Sequence, residues 1–481
     1  MCLHEKDPHF LHYCGWEKAE LDEGVAAAAP APLSLTRRHA LAGLGGLSVA
    51  ALLTACSSGQ PAPGQTPTPS GAGAAAATGA PVSPAQLGEA TKGIEETLVW
   101  QTEFYKDLHR HPELSGEEVR TAQNITKKLE EFGADEVLQI GGGVVGIFRN
   151  GEGRTVLYRA DMDALPVTEA TDLEYASLEP GKMHACGHDL HVSCGLGAAA
   201  LLAQNKSAWK GTYVALFQPG EETGKGARAM VDDGLVTKLA HARPEVCLAQ
   251  HVLTVPDAGH VATRPGAVLS AGDSIKITVF GKGSHGSMPH LGVDPAVLAS
   301  SIVLRLQGIV SRELAPGQFG VVTVGTIHVG NAPNVISDRA ELQVNVRAYD
   351  NAVRDKILQS IDRIVRAECA ASGSPQEPTF ETIATFPLTV NDEAVTKTVT
   401  DSLVAALGAD RVHQLAPVPA SEDFSIIPAA FEVPFTFWGF GGFRPGMPVV
   451  GNHNQGFAPA IDPTLRTGTE SALAAILAFL S

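Results

Sequence analysis

From His184 to His191 the chain reads His-Ala-Cys-Gly-His-Asp-Leu-His, placing three His, one Cys and one Asp within eight residues. Thiolate sulfur and imidazole nitrogen are good zinc ligands, and carboxylates bind metals through oxygen. The same letters suit a buried His and Cys group at the entry to a helix. Phe217-Gln218-Pro219-Gly220-Glu221-Glu222 closes an apolar run with two adjacent carboxylates. Ligands bind at the carboxyl ends of strands in open α/β sheets, so chemistry is at home there. One carboxylate can hold a metal while its neighbour moves a proton. A solvated acidic pair facing a helix dipole would read alike. Gln250-His251 closes another apolar run, and Asn452-His453-Asn454 lies far downstream. A lone His is more often structural than a ligand. Three groups at successive strand ends can nevertheless share one rim of one sheet, whereas the fold must deliver His453.

Other signatures are missing: the chain has no His-Glu-x-x-His and no Gly-x-Ser-x-Gly. Gly141-x-Gly143-x-x-Gly146 fits a dinucleotide pattern by letter, but a strand-like Val-Val-Gly-Ile-Phe overlaps it, so it reads as a turn.

These groups need a frame. The pattern predicts a helix over 88–110, ending near His111-Pro112. Ser115-Gly116-Glu117-Glu118 reads as a capping box for a second helix, with Val119, Ala122, Ile125, Leu129 and Phe132 on one face and Gly133 at its end. Apolar runs at Val144–Phe148, Thr155–Tyr158, Tyr213–Phe217 and Val246–Ala249 read as strands, with helices at 189–204 and 225–235. That alternation predicts an α/β sheet with much parallel character. From about Ser270 the order becomes strand, helix, strand, strand, helix, strand, ending near Ile383: the βαββαβ ferredoxin-like plan. Because α/β patterning resumes near Glu393, the expected architecture is a discontinuous α/β main domain (87–268 and 385–481) carrying an inserted α+β domain (269–384).

The whole chain has 481 residues and a formal charge of −17. The acidic balance argues against a nucleic-acid partner. Seven scattered cysteines do not make a disulfide framework. The front of the chain reads as an address. Arg37-Arg38 precede an apolar run, Ala40 to Ala55, which ends in Leu53-Thr54-Ala55-Cys56. This resembles a twin-arginine export signal joined to a bacterial lipoprotein box, with Cys56 lipidated. Residues 1–56 are thus expected to be leader and signal, and 57–86 a low-complexity tether. The mixed, acidic stretch 1–33 is either a long leading region or lies upstream of the true start. The implied location is the cell envelope, with membrane contact only through the lipid anchor.

Several ordered blocks together resemble the amidohydrolase family of hippurate hydrolase, aminoacylase-type enzymes and auxin-amino-acid conjugate hydrolases. This is a branch of the dinuclear-metal carboxypeptidase superfamily. The blocks are Asp107–Ser115 (Asp-Leu-His-Arg-His-Pro-Glu-Leu-Ser), Arg159–Pro166 (Arg-Ala-Asp-Met-Asp-Ala-Leu-Pro), His184–Asp189, Phe217–Glu222 and Ser421-Glu422-Asp423-Phe424-Ser425. The resemblance runs from about residue 95 to the C-terminus and implies a metallopeptidase-like catalytic domain with two divalent metal ions. Zinc or manganese comes first, cobalt or nickel after, and Cys186 tilts the choice to zinc. It implies Cys186, His188, Glu222, His251 and His453 as ligands and Glu221 as general base. His285 would reach the scissile carbonyl oxygen, often across a dimer, and Asn334 and Arg347 would serve the substrate carboxylate. Asp161 and Asp163 would orient ligands. His109, His111, His184 and His191 read as supports. Thr223 departs from the usual Glu-Glu-Gly-Gly and would put a hydroxyl beside the metals. The implied activity is hydrolysis of N-acyl or N-aroyl amino acids by a homodimer. A carboxypeptidase or dipeptidase is the nearest alternative, and a non-catalytic solute-binding lipoprotein is another.

Overall fold

A computed structural model of the chain describes residues 79–480. The expected leader, the arginine pair, Cys56 and most of the tether lie outside them. The first half runs α1 (Pro84–Ala90), α2 (Ile94–Arg110), α3 (Val119–Glu131), β1 (Glu136–Ile140), β2 (Gly143–Asn150), β3 (Thr155–Asp161), α4 (His188–Gln204), β4 (Gly211–Gln218), α5 (Gly226–Asp232), α6 (Leu235–Lys238), β5 (Val246–Ala258), β6 (Val261–Thr263) and β7 (Gly266–Leu269). Then come β8 (Ala271–Phe280), β9 (Ser284–His285), α7 (Pro295–Gly308), β10 (Gly320–Val329), β11 (Val335–Ile336), β12 (Arg339–Ala348), α8 (Asn351–Ala371), β13 (Thr379–Phe386) and β14 (Thr389–Asn391). The last part is α9 (Glu393–Leu407), β15 (Val412–Gln414), α10 (Ile426–Phe431), β16 (Phe435–Gly441) and α11 (Ile461–Leu477).

Eight strands form one sheet in the order β1-β2-β4-β3-β5-β16-β6-β15. Its centre, β4-β3-β5-β16, is parallel, so those strands end on one rim. β1 and β2 join it antiparallel. Side chains alternate between faces with period two. Val156, Tyr158 and Ala160 of β3 enter the core with α4 and α11, while Leu157 enters the opposite core with α5 and α10. Both faces are therefore dry, as parallel strands between helical layers require. α4 is buried from His188 to Leu202, so its polar start must be satisfied by protein or by a ligand.

The second sheet has the order β10-β12-β8-β13, with every pair antiparallel. Its strands and helices follow the βαββαβ order. Ala340, Leu342, Val344, Val346 and Ala348 of β12 alternate into a separate core beneath α7 and α8. The chain leaves the large sheet through β7 and returns through β14, and these two strands pair with each other.

Three sequence expectations change. The helix over 88–110 is broken: Gly93 adopts a left-handed backbone (φ +82°) and separates α1 from α2. The packed fold also includes residues ahead of 87: Val82 is buried, and Ser83 Oγ accepts the Gln86 amide at 3.1 Å. The capping box does not form. α3 starts at Val119, which is exposed, and neither Ser115 nor Glu118 caps it. Gly141 and Gly142 do make a turn, the tight one joining β1 to β2. Among the described residues no helix is long and apolar enough to cross a membrane.

Candidate active site

The start of α4 carries the centre. Gly187 caps it with φ +86°, and a Cβ there would sit 2.3 Å from Val252 Cγ1. Only glycine allows this approach, which sets Cys186 and His188 side by side. Cys186 Sγ lies 3.5 Å from His251 Nε2 on β5. Cys186, His188 and Glu222 each offer one ligand atom within 4.8 Å of the others, and His188 and His251 share a second such group with Asp161 and His191. His453 Nε2 stands 3.3 Å from Glu222 Oε1. The loop delivers it with φ +68°, uncommon for a residue other than glycine, and its amide donates to Ala185 O at 2.7 Å. All five expected ligands are therefore together. One expectation shifts slightly: His251 does not close its strand, because β5 continues to Ala258.

These residues fit a metal. His188 Nδ1 is bound to the Asp163 backbone oxygen at 2.9 Å and to its Oδ1 at 3.1 Å. That leaves Nε2 facing the cluster, where it is buried without a hydrogen bond and would present a lone pair to a bound metal. Glu222 Oε1 is likewise buried without a donor, although two imidazoles stand near it. His251 Nδ1 contacts Val252 O at 2.7 Å, which frees its Nε2. Burial holds His251 well below the usual histidine range, in the neutral form that donates a lone pair. A group of thiolate, imidazole and carboxylate donors that includes buried atoms without a hydrogen bond is what a zinc-like ion would satisfy.

Asp161 and Asp163 sit behind this cluster as orienting groups. Asp161 Oδ1 takes His191 Nδ1 at 2.5 Å, and His191 Nε2 accepts the Val252 amide at 2.8 Å. Both ring nitrogens of His191 are thus used, so it supports rather than ligates. Asp163 Oδ2 accepts from Ser115 Oγ at 2.6 Å and from Glu222 N at 3.0 Å. Thr223 points elsewhere than expected: its hydroxyl donates to Gly220 O at 3.0 Å.

Glu221 opens a 3₁₀ turn after β4 and is buried. Its carboxylate groups with those of Glu422 and Asp423. Burial, then the charges of Glu422, Glu222 and Asp423, hold its carboxyl well above the usual range. Burial and Glu422 push Asp423 up to about 8. Arg159, fully buried, answers these charges. It reaches Asp161 Oδ2 at 2.8 Å, Glu422 Oε1 at 2.7 Å and Gln218 Oε1 at 2.9 Å. Sequence reasoning gave no role to Arg159, Glu422 or Asp423. The signal available was that all three lie in blocks carrying the resemblance.

His285, Asn334 and Arg347 are not among the residues grouped at the cluster. His285 on β9 is exposed, and it pairs with Val335 of β11 beside Asn334. Its Nδ1 accepts the Ser287 amide at 3.1 Å, so the proton sits on Nε2, free to donate. His285 and Asn334 thus share one small ribbon, with no hydrogen bond or ion pair to the five ligands. Arg347 on β12 is half-buried, bonded to Asn345 Oδ1 at 3.0 Å and to Ser421 Oγ. A cavity of about 520 Å³ lies behind the 221–223 turn, lined by Glu118, Gly220 and Thr223 but by none of the five ligands.

His109 and His184 are supports of different kinds. Burial pushes His184 down to about 4, so it is neutral, and neither ring nitrogen has a hydrogen bond. Burial also opposes charge on His109. Asp189 Oδ2 at 2.7 Å and Glu169 Oε1 at 3.2 Å overcome it and push the ring up to about 9. A group raised on folding stabilises fully below its unfolded value, near 6.5, and loses that contribution as pH rises through about 9. The loss amounts to about 3 kcal/mol. The thermal midpoint between pH 6.5 and 9.5 should therefore fall more steeply in the protein than in His109→Gln. Parallel slopes would refute the assignment.

A profile of the peptidase family M20/M25/M40 matches residues 157–478. The chain is similar to thermostable carboxypeptidase 2 of Saccharolobus solfataricus, at 37% identity over 69% of this chain and 84% of that one. It is similar to N-acetyl-L-cysteine deacetylase of Bacillus subtilis, at 36% identity over 70% of this chain and 79% of that one. A solved structure of a dinuclear metal binding peptidase from Bacillus subtilis superposes with a TM-score of 0.66 at 27% identity, covering 80% of this chain and 99% of that one. The ligand-bearing rim and these matches lead to one conclusion: the chain belongs to the peptidase family M20/M25/M40 and is a hydrolase of amide bonds.

Proposed function

We propose that the protein is a two-metal amidohydrolase that cleaves the amide of N-acyl or N-aroyl amino acids, releasing a carboxylic acid and the free amino acid. The observation that carries this reading is the pair of buried atoms without a hydrogen bond, His188 Nε2 and Glu222 Oε1, set beside Cys186 and next to the dry carboxylate of Glu221. Cys186, His188, Glu222, His251 and His453 would hold two divalent ions, zinc or manganese first. Such ions would supply Lewis acidity, polarising the amide carbonyl and bringing the pKa of water towards ~7.

The chain's own groups would do the rest. Glu222 would have its lone pairs committed to metal, which leaves Glu221 as the group to move a proton. It would take one from water and return it to the leaving amine nitrogen. His285 would donate its Nε2 proton in a hydrogen bond to the developing oxyanion. Arg347 and Asn334 would hold the substrate carboxylate. His285 and Asn334 make no hydrogen bond or ion pair with their own chain's ligands, which favours a homodimer in which each ribbon serves the partner's site. β10 is an edge strand with Ile327 exposed, and α7 exposes Val297 and Leu304, which supports the same arrangement. Export by the twin-arginine route, with Cys56 lipidated, belongs to this proposal on the strength of the sequence.

Similarity to a carboxypeptidase favours a second reading, removal of a C-terminal residue from a peptide. The test is hydrolysis of hippurate, N-acetyl amino acids, an indole-acetyl amino acid and two dipeptides, with metal content measured in parallel. The expected result is two ions per chain and preference for an acyl conjugate. Preference for dipeptides would move the assignment to the second reading. Removing metal with a chelator should abolish turnover, and zinc or manganese should restore it. Activity that survives a chelator leaving no measurable metal would sink the metal-dependent mechanism.

A further inference from the structure

The Ser115–Glu118 segment has the letters of a helix cap but is spent on the active site. The first amides of α3 still need acceptors. Glu113 supplies them: its Oε1 accepts from Arg120 N at 2.9 Å and its Oε2 from Thr121 N at 2.7 Å. A carboxylate also suits the positive end of the helix. Ser115 and Glu118 are thereby free to face inwards. Ser115 Oγ donates to Asp163 Oδ2 at 2.6 Å. Glu118 Oε1 accepts from Gly220 N at 2.7 Å.

Gly220 immediately precedes Glu221 and is left-handed, with φ +56°. Its carbonyl accepts from Thr223 Oγ1 at 3.0 Å and from Gly226 N at 3.1 Å. Asp163, held by Ser115, accepts the Glu222 amide at 3.0 Å. One short segment therefore grips the 221–223 turn on both sides of Glu221. Among the described residues the Glu221 carboxylate has no hydrogen bond of its own, so its place depends on that turn. Glu118 is kept there at a cost. It is buried on the wall of the 520 Å³ cavity without an ion pair, and burial pushes it up to about 7.

We propose that Glu118 is a positioning residue for hydrolysis: its carboxylate fixes the Gly220 peptide and so sets the Glu221 carboxylate, while Ser115 fixes Glu222 through Asp163. This rests on Glu221 being the proton-transfer group. Misplacing a reacting group by about 1 Å can cost ~10²-fold in rate. In the metal-loaded full chain, Glu118→Ala should lower kcat by about 10- to 100-fold, with KM within about threefold and both ions retained. Glu118→Gln keeps an acceptor for Gly220 N and should restore kcat to within about threefold of the natural protein. A lower melting temperature with kcat unchanged in Glu118→Ala would overturn the proposal. So would Glu118→Gln as slow as Glu118→Ala, because charge and not the acceptor would then matter. If Glu118→Ala does not fold, Ser115→Ala decides: a kcat about tenfold lower supports the bracket, and an unchanged one overturns it. Glu221→Gln separates the two layers, since turnover surviving that change defeats the reading of Glu221 rather than the bracket.

Discussion

Glu221→Gln is expected to lower kcat by about 10³-fold while both metal ions and substrate affinity remain, in the middle of the range for losing a general acid–base group. The substitution keeps the shape of the side chain and removes its ability to accept a proton. Glu221 has the properties such a role needs. It is buried, it lies outside the group that Glu222 forms with Cys186 and His188, and Glu422 and Asp423 oppose its negative charge. Ions bound at the cluster would pull its basicity back towards neutrality, where a base that later acts as an acid works best. The check combines steady-state kinetics, metal analysis and calorimetric titration with the intact substrate, which the variant should bind without turning over. Loss of metal together with activity would make Glu221 a ligand. Retained turnover would remove proton transfer from Glu221 altogether. Binding without turnover in the natural protein as well would instead favour a solute-binding role.

Arg159→Met should cost about 3–5 kcal/mol of stability at pH 8, the usual penalty for leaving buried charge without its partner. The guanidinium is fully buried and faces Asp161, Glu422 and Asp423. Burial alone would disfavour its charge, but those carboxylates hold it above the ordinary arginine value. Methionine preserves much of the volume and none of the charge, so the cavity term stays small and the electrostatic one dominates. A fall in thermal midpoint of about 5 °C corresponds to such a loss in a chain of this size. The penalty should shrink at pH 6, because protonated carboxyls no longer need a cation. Asp423, already at about 8, takes up its proton first. A midpoint unchanged at both pH values would mean that the carboxylates are not ionised together. Because Asp161 also holds His191, metal affinity should fall in the same variant.

The order of strands and helices was legible because burial repeats with period two in strands and near 3.6 in helices. β2 through β5 and the βαββαβ segment follow from that. β1 was not legible: Glu136–Ile140 is an edge strand, mostly half-buried, and lacks a clean alternation. The broken first helix turned on one backbone angle at Gly93, which the surrounding helical letters hid.

The site divides along the same line. Residue type and short spacing are properties of the chain itself, so Cys186, His188, Glu221, Glu222 and His251 could be read as a set of donors at the ends of apolar runs. Their family could be named from ordered blocks. What needed the tertiary structure was every contact between distant segments. Glu422 meets Arg159 across 263 positions, and His453 reaches Glu222 only because its loop adopts a left-handed turn. Ser115 and Glu118 could cap a helix or hold an active site, and the letters serve both. The choice fell to Glu113, whose carboxylate already occupies the α3 amides. A hydrogen-bonding group goes to the partner that the fold places within reach, and the sequence alone does not fix that distance.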